Sequence, residues 1–102
     1  MSPAEVLGAA ADLLEKPGAW TQWGYASDGR GNPVHYTDAS AICFCVRGAV
    51  RRVAEESGTD FSLEDFGVPK PSWNDAPERT QVEVVAALRE ASRQASIRGG
   101  EA

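Results

Sequence analysis

A single histidine, a single methionine and two cysteines are all that 102 residues offer of the side chains that most often carry nucleophilic or soft-metal chemistry. One histidine excludes the HExxH metalloprotease pattern, and neither a glycine-rich phosphate loop nor a paired-carboxylate motif occurs. A metal site would need two ligands beyond Cys43 and Cys45, and only His35 and carboxylates remain, so no metal and no cofactor is expected. Basic residues are also scarce. The 10 Lys and Arg stand against 15 Asp and Glu, a formal net charge of -5, which removes any overall drive toward nucleic acid or an anionic membrane.

Long apolar runs are missing too. No window approaches the roughly 18 consecutive apolar residues of a membrane span, and the N-terminus lacks the basic and then apolar order of a signal peptide. Cys43 and Cys45 are separated by one residue, and on a helix their side chains would diverge by about 200°, which forbids a disulfide between them. Reduced thiols in a reducing, cytoplasmic compartment are the expectation.

What the chain does have is an ordinary globular composition, 42% hydrophobic and 25% charged, enough for one modest core. One domain is expected over residues 1–98, with a frayed tail at 99–102. Ser2-Pro3-Ala4-Glu5 combines a capping residue, a proline at the first helical position and a glutamate three residues after the cap. Val6, Ala9, Ala10, Leu13 and Leu14 follow at helical spacing until Pro17-Gly18. Trp20 to Tyr36 carries aromatics and β-branched residues on both sides of Ser27-Asp28-Gly29-Arg30-Gly31-Asn32, which predicts a loose hairpin with a long tip.

A second helix is predicted from a cap at Thr37 or Asp38, through the apolar run Ile42-Cys43-Phe44-Cys45-Val46, to a stop at Gly58. Gly48 lies inside it at a cost of about 1 kcal/mol relative to alanine, so another backbone or a ring is expected against it. Val68-Pro69-Lys70-Pro71 forces an extended segment closed by Trp73-Asn74-Asp75. Thr80-Gln81-Val82-Glu83 is a second capping box, opening a last helix that ends at Gly99-Gly100. The expected fold is α+β and mainly helical: three helices, a small β-hairpin and one ordered loop, with the second helix at the centre and the others flanking it.

Three motifs together, Trp20-Thr21-Gln22 with Tyr25, Cys-x-Cys-x-x-Gly-Ala at Cys43–Ala49, and Trp73-Asn74-Asp75 followed by Thr80-x-x-Glu83-Val84, resemble a family of small bacterial and phage proteins of unknown function. The resemblance runs from about Leu7 to Ala95 and implies a phage or mobile-element origin without assigning any chemistry.

The candidate functional residues divide by chemistry. Trp23 and Tyr25 on the hairpin, with Trp73, Asn74 and Asp75 on the loop, are aromatics beside polar turn residues, the composition of a recognition surface. Arg47 and Arg51, one helical turn apart, could grip a carboxylate or phosphate. The alternative is a thiol-dependent hydrolase or transferase in which Cys43 attacks, His35 accepts its proton and Asn74 or Asp75 orients the imidazole. With no catalytic motif present, the expectation is a non-enzymatic binding or regulatory module. Its partner would be another protein or a second copy of itself in a homodimer, with a small polar ligand as the alternative.

Overall fold

A computed structural model describes residues 1–100; Glu101 and Ala102, the end of the expected tail, lie outside the described residues. The elements are α1 (Pro3–Glu15), β1 (Ala26–Ser27), β2 (Cys43–Phe44), α2 (Val46–Ser57), the single turn α3 (Pro71–Asn74) and α4 (Gln81–Gly100). The fold is α+β and mainly helical, as expected. Among the described residues no helix is long and apolar enough to cross a membrane.

Local chemistry explains the helix ends. Ser2 Oγ accepts from the Glu5 N–H at 3.1 Å while Glu5 Oε1 accepts from the Ser2 N–H at 2.8 Å, so the first turn of α1 has the reciprocal cap its sequence announces. Thr80 and Glu83 repeat the exchange at the start of α4, with the Thr80 N–H donating to Glu83 Oε1 at 2.9 Å. Gly58 takes a left-handed φ of 65° and ends α2, its N–H and that of Thr59 turning back to the Glu55 and Ala54 carbonyls. α4 continues through Gly99 and Gly100, the pair expected to stop it.

Two expectations are corrected. The second helix does not begin at Thr37 or Asp38. Asp38 Oδ1 instead takes the Ser40 N–H and hydroxyl at 2.8 and 2.7 Å, closing a local turn. The apolar run that follows is extended: Cys43–Phe44 pairs antiparallel with Ala26–Ser27, in the register Ala26 with Phe44 and Ser27 with Cys43. Of the hairpin expected within Trp20 to Tyr36, only the tip remains, held by Asp28 N–H to the Asn32 carbonyl and Val34 N–H to the Ala26 carbonyl. A run that is apolar and β-branched suits a buried strand as well as a buried helix, and periodicity alone does not separate them.

The second correction concerns the centre. Both α2 and α4 pack on α1, which is therefore the middle helix. Val6, Leu7, Ala10, Ala11 and Leu14 are fully buried along it, and its small residues let neighbours approach on two sides. Ser92 on α4 comes close enough to donate to the Ala4 carbonyl at 2.8 Å. Phe44, Val46, Ala49, Val50 and Val53 complete the core from β2 and α2, and Phe61, Leu63, Val68, Val84 and Leu88 from the remaining chain.

Candidate functional site

Asn74 is the one buried polar residue among the described residues, with no exposed surface, and every hydrogen-bonding position of its amide is used. Its Oδ1 accepts from the Trp20 indole N–H at 2.8 Å and from the Val46 N–H, the first amide of α2, at 3.0 Å. Its Nδ2 donates to the Thr21 carbonyl at 3.1 Å and to Asp75 Oδ1 at 2.9 Å. One side chain thus ties together the segment after α1, the start of α2 and its own short helix. A buried amide left unbonded would be costly, so this satisfaction selects a single arrangement of the three segments.

Neighbouring residues extend the lock. Gln22 Nε2 donates to the Asn74 and Ala76 carbonyls at 3.1 and 3.0 Å. Asp75 Oδ1 also accepts from the Trp23 N–H at 2.9 Å. Trp73 is covered by the Arg79 guanidinium, 3.9 Å above its ring, while Arg79 Nε donates to the Trp73 carbonyl at 2.8 Å. Gln22, Trp20 and Arg79 are the positioning residues that reading the sequence for chemistry passes over. For the first two a signal exists: Trp20-Thr21-Gln22 and Trp73-Asn74-Asp75 are both motifs of the family resemblance, and they prove to be bonded to each other.

The lock determines how Trp23 is presented. Its backbone adopts φ 69°, the left-handed region that an L-residue with a bulky side chain rarely enters, and it is the one non-glycine residue among those described to do so. The ring projects outward, 77% exposed. Tyr25 is exposed beside it, with its ring 6.1 Å from that of Tyr36, which in turn stacks on His35 at 4.1 Å. A cavity of about 270 Å³ opens here, lined by Trp23, Gly24, Tyr25, Cys45, Pro71 and Asp75.

The floor of this cavity is the start of α2. Cys45 is its N-cap, its thiol accepting from the Gly48 N–H at 3.2 Å, and burial pushes that thiol up from its ordinary pKa against the pull of the Gly48 amide. Gly48 is needed for the close approach foreseen for it: a Cβ there would lie 1.9 Å from the Tyr25 carbonyl oxygen. That carbonyl accepts from the Cys45 N–H at 3.2 Å, so β1, the Trp23 loop and α2 meet at one point.

The other expected site residues are dispersed. Cys43 donates its thiol hydrogen to the Gly18 carbonyl at 3.1 Å, His35 Nδ1 is bonded to Thr37 Oγ1 at 2.7 Å, and Asn74 lies in the lock. The structure therefore engages the members of the cysteine and histidine alternative with three separate partners. Arg47 is nearly buried, bonded to the Val68 and Pro69 carbonyls and paired with Glu64 at 2.9 Å. Arg51 bonds the Phe61 carbonyl at 3.1 Å. Both arginines hold the segment after α2 against that helix, and neither lines the cavity beside Trp23 and Tyr25. Among the described residues no cluster of His, Cys, Asp and Glu could hold a metal ion.

This is a small, mainly helical α+β domain whose one buried polar residue among those described, Asn74, ties three segments together. The chain belongs to DUF6197, a family of unknown function, whose model matches residues 1–94. No curated protein and no solved structure matches it.

Proposed function

We propose that this protein is a non-enzymatic protein-binding module whose contact surface is the Trp23 and Tyr25 loop. The observation that carries the reading is Trp23 itself: a large aromatic in a strained backbone conformation, largely exposed, with its backbone N–H pinned by Asp75. Backbone strain persists only where surrounding structure enforces it, and it concentrates at sites of recognition and catalysis. An exposed tryptophan on a rigid base is the side chain most enriched at binding hot spots. The thiol-enzyme alternative draws no such support, because Cys43, His35 and Asn74 are each engaged elsewhere. A cytoplasmic setting with both thiols reduced, and a phage or mobile-element origin, belong to the same reading. A second copy of the chain is one partner that fits, since a two-fold contact would cover the same patch on both copies.

The test places photo-reactive benzoylphenylalanine at position 23, with the exposed Val82 position on α4 as control. The expected result is a discrete adduct at 23 and none at 82; an adduct with a different protein is suppressed by excess parent protein and not by excess Trp23→Asn, while a self-adduct increases with added parent protein and not with added Trp23→Asn. An adduct of twice the chain mass identifies self-association. No saturable adduct at position 23 overturns the proposal.

A further inference from the structure

The three tryptophans of the chain are not equivalent. Trp20 gives its N–H to Asn74, and Trp73 has a guanidinium over its face. Among the described residues, no cation, ring or hydrogen-bond acceptor engages the indole of Trp23. Asp75 is half used in the same way. Its Oδ1 takes two N–H groups, from Trp23 and Asn74, and among the described residues no donor or cation is bonded to its Oδ2. Trp23 and Asp75 both line the cavity of about 270 Å³ that Tyr25, Pro71, Gly24 and Cys45 complete, and no basic residue lines it.

From this we infer that the cavity receives the cationic side chain, lysine or arginine, of a basic segment on a protein partner. An ammonium or guanidinium against an aromatic face is attracted by its quadrupole, and a carboxylate oxygen with no other donor supplies a charge-assisted hydrogen bond. The molecule already makes this contact internally, with Arg79 on Trp73. An anion is disfavoured despite the nearby helix start. The α2 amides of Val46 and Gly48 are consumed by Asn74 and Cys45, and the cavity wall carries the Asp75 carboxylate. A formal net charge of -5 attracts a basic partner at longer range. The exposed face of Trp23 extends the contact beyond the ammonium head, which favours a side chain on a polypeptide over a free amine.

The inference rests on the protein-binding reading and is tested apart from it. The probe is a capped pentalysine peptide titrated by calorimetry and by tryptophan fluorescence, against the same peptide with every lysine acetylated. The parent is expected to bind the lysine form and not the acetylated one. Asp75→Asn retains an oxygen for the Trp23 and Asn74 N–H groups while removing the charge, and both it and Trp23→Asn should weaken binding at least about fivefold with folding retained. Glu55→Gln removes the same charge from an exposed position on α2 and should change binding less than about twofold. Equal loss in Glu55→Gln and Asp75→Asn, equal binding of the acetylated peptide, or tetramethylammonium binding as tightly as the peptide each overturns the inference. A saturable adduct at position 23 with no response to pentalysine overturns the cationic ligand and leaves the contact surface standing. Failure of both experiments removes both.

Discussion

Asn74 shows how one buried side chain can organise three segments. Replacing it with alanine strands the Trp20 and Val46 N–H groups and the Thr21 carbonyl, and an unsatisfied buried group costs about 1 to 3 kcal/mol. Asn74→Ala is therefore expected to destabilise the domain by about 3 kcal/mol or more, read as the midpoint of denaturant unfolding. A loss under about 1 kcal/mol would mean that water replaces the amide. Trp23 should behave in the opposite sense. It buries little surface and occupies a left-handed conformation that asparagine tolerates, so Trp23→Asn is expected to raise stability by about 1 kcal/mol. A residue whose removal strengthens the fold is one retained for a reason other than the fold. Thermal unfolding of the variant decides the sign.

Among the elements, α2 departs most from what its sequence suggests, because its first residues are claimed by strand pairing before the helix can start. The close approach at Gly48 was legible, since a glycine inside a helix demands a reason; that the neighbour is the Tyr25 backbone was not. Gly48→Ala would drive a Cβ into that carbonyl, and the gain in helix propensity of about 1 kcal/mol is too small to offset the overpacking. A net destabilisation of about 2 kcal/mol is expected, together with displacement of the Tyr25 loop visible in its NMR shifts. An unperturbed loop would contradict the contact. At α1, the Glu5 carboxyl is held below its ordinary value, chiefly by the Ser2 N–H and then by the Ser2 hydroxyl. A depressed folded pKa means the cap's contribution is present above the unfolded pKa, roughly 4.3, and is lost as pH falls through the folded value. Amide exchange in the first turn of α1 should accordingly quicken in acid beyond its intrinsic pH dependence, and the Glu5→Gln variant should show no such excess.

At the scale of the whole molecule, the sequence reads well wherever a local rule acts alone and poorly wherever two distant segments decide together. The capping boxes at Ser2 and Thr80 and the stop at Gly58 were legible because each is completed within four residues. The strand at Cys43–Phe44 was not, because its partner Ala26–Ser27 is remote and supplies the reason for extension. Nor was the central place of α1, which depends on two helices packing against its small residues. Trp23, Tyr25 and the Trp73-Asn74-Asp75 loop were singled out by composition, and of these Trp23, Tyr25 and Asp75 line one cavity while Trp73 and Asn74 do not. Their division of labour was hidden: Asn74 faces inward, Trp73 is covered, and Trp23 alone of the three tryptophans is left to solvent. The account's central claim is that this division exists, with the Asn74 lock holding Trp20 in and Trp23 out. Hydrogen exchange of the three indole N–H groups, assigned by single substitutions, tests it most directly. The prediction is strong protection of Trp20, lost in Asn74→Ala, against exchange at Trp23 as fast as in an unfolded peptide; a protected Trp23 indole in the monomer would contradict it.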